Sequence, residues 1–171
     1  MRMRTAVQNF RQVSQHHRIL LKIVVIVLIP TFLTTSEILA HEGATGVVKE
    51  RMESMKSVAQ SMKRINKALR SNSNVDRAAI KREAAAITRR AREFPQKFPA
   101  GSEGGVSEAK PEVWQNPVDF SAKSMALATA AERLSSAAGT GSLKELSAGF
   151  SGIGKTCGAC HRVYRMKKRN R

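Results

Sequence analysis

The chain is poor in acidic and aromatic residues. Its 171 residues contain 13 aspartates and glutamates against 30 lysines and arginines, a formal net charge of +17, and they contain one tryptophan and one tyrosine. Proteins that bind single-stranded nucleic acid interleave basic side chains with aromatic side chains on which the bases stack, and this chain shows no such interleaving. We therefore expect no nucleic acid among its partners. The charge favours an acidic partner protein or an anionic membrane surface.

The period-two alternation of apolar and polar residues that marks strands is also missing. Apolar residues recur instead at spacings of three and four, which predicts helices with one core-facing stripe each. Four stripes follow one another along the chain: Val48, Met52, Met55, Val58/Ala59, Met62, Ile65 and Leu69; Val75, Ile80, Ala84, Ile87 and Ala91; Phe120, Ser124, Leu127, Ala131 and Leu134; and Leu143, Leu146, Phe150 and Ile153, continuing into Cys157, Cys160 and Tyr164.

The second and third stripes are separated by residues 94–117, which hold four of the five prolines and predict a long structured loop. Asn116 is predicted to cap the third helix, and Ser142 with Glu145 to form a capping box at the fourth. We therefore predict an all-α fold, an antiparallel four-helix bundle with a long loop between the second and third helices.

Residues 1–40 have the outline of a secretory signal peptide. Four arginines lead into an apolar stretch, whose uncharged part after Lys22, residues 23–33, is shorter than the roughly 20 residues that a membrane-spanning helix needs. We predict cleavage after Ala40, with an uncleaved N-terminal anchor as the alternative. Residues 41–171 then form one exported domain in the periplasm, whose net charge is +13 because five cations and one carboxylate lie in the first 40 residues.

The two cysteines of the chain lie three residues apart in KTCGACHRVY, residues 155–164, and a histidine follows the second. On the predicted fourth helix Cys157, Cys160 and His161 lie within about one turn, and we expect all three to face the core. A thioredoxin-type disulfide would need a preceding strand, and none is predicted here. A structural zinc site needs four ligands, and residues 41–171 offer only these two thiols, His161 and the terminal His41. Cys-x-x-Cys-His is instead the attachment signature of c-type haem. The motif therefore predicts one covalent haem c and its iron.

The sequence resembles the cytochrome c prime family and, within it, the low-spin cytochrome c-556 type. The resemblance is carried by VVKERMESMKS, FPAGSEGG, KPEVWQNP, AAERLSSAA and GKTCGACHRVYR. It implies that Cys157 and Cys160 hold the haem, that His161 is the proximal iron ligand, and that Arg165 flanks the proximal face. It also places Phe98 and Trp114 around the haem pocket, Arg51 near the propionates and Met55 on the distal side. Both monomers and homodimers occur in the family, so the oligomeric state stays open.

The distal residue decides between two functions. By resemblance, cytochrome c prime leaves the iron five-coordinate, whereas the c-556 type uses a methionine as the sixth ligand, and ERMESMKS is closer to the second. A thioether ligand raises the reduction potential and closes the iron to gases, which predicts a periplasmic one-electron carrier with His161 and Met55 as ligands. Because methionine is also a common core residue, a five-coordinate protein that binds nitric oxide or carbon monoxide remains the alternative. No distal acid–base pair is visible, so we expect no enzyme.

Overall fold

The computed structural model describes residues 44–71 and 74–167, and the predicted signal peptide lies outside these ranges. These two ranges contain five α-helices: α1 (Gly46–Leu69), α2 (Arg77–Glu93), α3 (Glu112–Gln115), α4 (Pro117–Thr140) and α5 (Leu143–Tyr164). In the ranges described, the only β pairing is an isolated bridge between Ala109 and Arg165. None of the helices described there is long and apolar enough to cross a membrane. The four long helices form the predicted bundle, so the all-α prediction is confirmed.

The main core lies between the four long helices, and its buried residues on α1 are Val58, Ile65 and Ala68. α2 packs most extensively on α4, whereas α1 and α5 have the least contact with each other of the long-helix pairs that pack together. The predicted stripes of α2 and α4 are buried, apart from Val75, which is half-buried and precedes α2, and on α5 Leu146 and Ile153 are fully buried. Leu143 is the exception, with 56% of its surface exposed, because it is the first residue of α5 and lies at the turn where the bundle ends.

The buried face of α1 differs from the predicted stripe. It consists of Arg51, Ser54, Val58, Ser61, Ile65 and Ala68, whereas the predicted Met52, Met55 and Met62 are half-buried. The reason is a polar contact with α2: the Ser61 hydroxyl donates to Glu83 Oε2 at 2.9 Å, and Arg64 Nη2 lies 2.9 Å from the same oxygen. Two small serines on this face allow α2 to approach, so α1 is rotated away from the methionine stripe.

Both predicted capping residues occupy the N-cap position of their helix, and one of the two makes capping hydrogen bonds. The Ser142 amide donates to Glu145 Oε2 at 2.6 Å and the Glu145 amide donates to the Ser142 hydroxyl at 3.3 Å, so the capping box is confirmed. Asn116 occupies the N-cap position of α4, but its side chain makes no capping bond. Pro117 at the first helical position has no amide hydrogen and so leaves one donor fewer to satisfy.

The predicted loop over residues 94–117 contains short helical segments. A 3₁₀ turn, Phe94–Lys97, continues directly from α2, and α3 is a single turn just before α4. The predicted long loop is therefore confirmed, and it contains a short helical turn near each end. The middle runs as irregular backbone with left-handed glycines at Gly101, Gly104 and Gly105, where a residue with a side chain would be strained.

Candidate functional site

The cysteine motif lies in the last two turns of α5. Cys157 is half-buried against the main core, and Cys160 is half-buried against a second apolar group. Both thiols are free, and burial is the main reason that the pKa of each is raised. They are therefore neutral thiols held in apolar surroundings, on one side of one helix.

His161 is exposed, so the prediction that all three motif residues face the core is wrong for the histidine. Consecutive residues on a helix point about 100° apart, and with Cys160 turned inward His161 lies on the flank of α5. There it lines an open pocket of about 430 Å³ together with Gly158, Arg162, Arg165, Met166 and Lys167. Desolvation and then Arg165 lower the pKa of the imidazole, which favours the neutral form that binds metals.

The second apolar group is an aromatic cluster of Phe94, Phe98, Trp114, Phe120 and Tyr164, on which Cys160 packs. The Phe98 ring centroid lies 4.8 Å from that of Phe120 and 5.7 Å from that of Trp114, both edge to face. The Trp114 indole also donates to the Pro99 carbonyl at 3.1 Å. The structure thus places Phe98 and Trp114 in the cluster on which Cys160 packs, while their contact with haem stays a prediction.

Arg51 is 4% exposed and joins α1 to the long loop. Its Nε donates to the Lys97 carbonyl at 2.6 Å, and Nη1 and Nη2 each donate to the Ser102 carbonyl at 3.0 Å. Nη2 also donates to the Ser102 hydroxyl. The guanidinium carbon lies 4.4 Å from the Phe98 ring centroid and 5.3 Å from that of Trp114. All three nitrogens are therefore used by the loop, and the predicted role near the propionates remains a prediction.

Met55 lies one turn after Arg51 on α1. It is half-buried and packs against the same main core as Cys157 does from α5. Met62 packs on that core in the same way, whereas Met52 does not contact it. The structure therefore brings Met55 and Cys157 to one apolar core and leaves Met52 outside it.

Arg165 lines the pocket beside His161 and ties the end of α5 to the loop. Its Nε donates to Glu108 Oε2 at 2.7 Å, and Nη2 lies 2.6 Å from the same oxygen. The backbone continues this contact, because the Lys110 amide donates to the Tyr164 carbonyl and the Met166 amide to the Glu108 carbonyl. The sequence analysis missed Glu108, which no motif marks.

Tyr164 is a further residue that sequence reasoning did not assign to the site. Its side chain is buried in the aromatic cluster, and its hydroxyl donates to Asp119 Oδ2 at 2.5 Å. Burial and this carboxylate raise the pKa of Tyr164 to about 12. The hydrogen bond thereby joins the end of α5 to the start of α4.

These residues fit a covalently attached haem. Two half-buried thiols, separated by one helical turn, have apolar and aromatic groups behind them, and a neutral imidazole follows on the flank of the same helix. That donor set matches the chemistry of thioether attachment with histidine ligation.

Comparison with known proteins points the same way. The protein-family profile described as Cytochrome C' matches residues 46–165. A cytochrome c-556 of Agrobacterium fabrum is 36% identical over 125 residues, which cover 73% of this chain and 84% of that protein. A cytochrome c' of Alcaligenes xylosoxydans xylosoxydans is 32% identical over 121 residues, covering 71% and 94%.

Solved structures show the same likeness in three dimensions. Cytochrome c' from Rhodopseudomonas palustris aligns with a TM-score of 0.65 at 28% identity, covering 74% of this chain and all of that one. A nitric oxide complex of a cytochrome c prime variant from Alcaligenes xylosoxidans aligns with a TM-score of 0.63 at 31% identity, covering 71% and 94%.

Proposed function

The chain belongs to the cytochrome c prime family, whose members bind one covalent haem c, and on that premise we propose that it is a periplasmic one-electron carrier with His161 and Met55 as axial ligands. The haem supplies the iron whose oxidation state changes. Cys157 and Cys160 would hold it by thioether bonds, and retention of the haem by the protein through acid–acetone extraction would test this attachment. The periplasmic location follows from the predicted signal peptide, and the partner from the positive net charge, which would steer the protein toward an acidic redox protein.

The position of Met55 is the observation that supports this proposal most directly. Met55 packs from α1 on the same apolar core on which Cys157 packs from α5. Arg51, one turn earlier, is bound to the loop through two carbonyls, which restricts the rotation of α1 at this level. A thioether at that place would favour electron transfer over gas binding. The likeness to a cytochrome c-556 supports the same choice.

Gas binding at a five-coordinate iron is the second candidate. It is supported by the likeness to a cytochrome c prime solved as a nitric oxide complex. The half-buried packing of Met55 on the core is also what a methionine without an iron bond would show. No turnover of a substrate is part of either proposal.

Met55→Ala tests the ligand, with Met62→Ala as its control. Both methionines lie on α1, are half-buried and pack on the same core, so loss of packing affects both variants alike. If Met55 binds the iron, Met55→Ala converts the ferric protein from low to high spin, removes the sulfur-to-iron charge-transfer band, lowers the reduction potential and admits carbon monoxide. Met62→Ala should leave the spectrum unchanged.

A different result would favour either the gas-binding function or a different sixth ligand. A wild-type protein that is already high-spin and binds carbon monoxide, with Met55→Ala changing only its gas affinity, would contradict the carrier and support the gas binder. Low-spin spectra that survive Met55→Ala would show that another residue is the sixth ligand.

A further inference from the structure

Charge is divided unequally between the two halves of the bundle. α1 and α2 together contain 12 lysines and arginines against four carboxylates, whereas α4 and α5 contain five against three. The net charge of the first pair is therefore +8 and that of the second pair is +2. The excess positive charge of the helices belongs mainly to α1 and α2.

On α1 this charge forms a regular row. Lys49, Lys56 and Lys63 recur every seven residues, Arg70 continues the row as the residue directly after the helix, and all four are exposed. Seven residues span about 10.5 Å of helix and return to nearly the same side, here the side opposite the buried stripe. On α2, Arg82 and Arg89 repeat the same spacing and are exposed as well. These six residues are called the basic face below.

Most of these cations have no carboxylate partner. Within residues 44–71 and 74–167, Lys49 is the one member of the basic face that forms an ion pair, with Glu53 at 3.9 Å, and both side chains are 63% exposed. The one buried carboxylate of this helix pair, Glu83, is already bound by Arg64 and Ser61. The positive field of the basic face is therefore only weakly compensated within the protein.

The basic face also lacks the side chains that usually bind nucleic acids or partner proteins. α1 and α2 contain no aromatic residue on which bases could stack. The exposed large apolar side chains of the described residues, which protein interfaces use as anchors, all lie outside these helices: Val106, Val118, Met125, Leu143, Val163 and Met166. The basic face therefore offers only long, flexible cationic side chains spread over an extended area. Such side chains suit a surface that carries many mobile anions.

From this arrangement we infer that the basic face docks the protein on the anionic headgroups of a lipid bilayer. The attraction is electrostatic and needs no apolar insertion. The inference is independent of the axial ligands of the iron, because all six residues are exposed and none is a proposed ligand. Failure of this inference therefore leaves the proposed function untouched, and the reverse also holds.

Vesicle sedimentation with the processed holoprotein tests the inference. We expect binding to vesicles rich in phosphatidylglycerol, little binding to pure phosphatidylcholine vesicles, and steep loss of binding with added salt as the Debye length contracts from about 10 Å at 0.1 M to about 3 Å at 1 M. The basic-face variant is Lys56→Gln, Lys63→Gln and Arg89→Gln. Because each cation near an anionic surface strengthens binding about fivefold, its affinity should fall on the order of a hundredfold.

A matched control separates the face from the net charge. Arg133→Gln, Lys144→Gln and Lys155→Gln remove the same three charges from exposed positions on α4 and α5, and this variant should lose less than about tenfold. Equal losses in both variants would show that diffuse charge causes binding and would overturn the inference. Equal binding to neutral vesicles would assign it to apolar contacts, and binding to a DNA duplex without binding to vesicles would assign the face to nucleic acid; either result would also overturn it.

Discussion

Replacing Arg51 with methionine should lower the free energy of unfolding by about 2–4 kcal/mol. Hydrogen bonds from a charged donor contribute roughly 1.5–3 kcal/mol each, and Arg51 makes such bonds to the Lys97 and Ser102 carbonyls. Contacts with the faces of Phe98 and Trp114 add about 1 kcal/mol. Desolvation of the guanidinium, which also lowers its pKa, and the apolar gain of methionine offset about half of that sum.

Urea unfolding followed by far-ultraviolet circular dichroism measures this loss. Arg51→Lys should recover only part of it, because a single ammonium cannot reproduce the planar fork that reaches two carbonyls at once. Lys63→Met is the control for removing a cation from α1, and as an exposed site it should stay within about 0.5 kcal/mol of wild type. An Arg51→Met protein as stable as wild type would refute the reasoning, since the loop would then be held without the arginine.

Two further predictions concern buried polar contacts between helices. Tyr164→Phe should cost about 1–2 kcal/mol in urea unfolding, because the ring still packs while the bond to Asp119 is lost. The pKa of this single tyrosine is raised from 10 to about 12. The contribution of the hydrogen bond to the free energy of unfolding is therefore complete below pH 10 and is lost as the pH rises toward 12, where tyrosinate absorbance should first appear. Tyrosinate absorbance near pH 10 in the folded protein would contradict this. The pKa of Glu83 is lowered from 4.5, mainly by the hydrogen bond from Arg64. The difference in the free energy of unfolding between wild type and Glu83→Gln should therefore be complete above pH 4.5 and shrink as the pH falls below that value. A difference that does not change with pH would contradict this prediction.

The helices of the core were predictable because their buried positions are occupied by apolar residues. On α2 and α4 the isoleucines, leucines and alanines at helical spacing are the residues that the structure buries. On α1 the same reasoning chose the methionines, because Ser54 and Ser61 belong to residue types that are usually exposed. Their burial depends on a partner in another helix, Glu83 in the case of Ser61, and periodicity within one helix carries no information about that partner.

The site was predictable where its residues are neighbours in the chain. Cys157, Cys160 and His161 form one local motif, whereas Arg51 meets Ser102 from 51 residues away and Arg165 meets Glu108 from 57 residues away. Such pairs depend on the path of the long loop, which left-handed glycines and carbonyl acceptors determine and which residue types alone do not predict. Glu108 in particular has no distinguishing neighbour in the sequence.

Residues 94–117 therefore contribute to the site, although the cysteine motif gives no indication of this. A Cys-x-x-Cys-His helix whose second cysteine packs into the aromatic cluster must carry its histidine about 100° around the helix, away from the core residues that would otherwise hold it. In this protein the groups near that flank come from the end of α5, where Arg165 is bound by Glu108 and residues 108–110 bond to the backbone of Tyr164 and Met166. The same loop is held at its other end by Arg51, one turn before Met55. The segment between the second and third long helices thus bonds to both helices that carry the residues proposed as axial ligands, although neither residue lies in it.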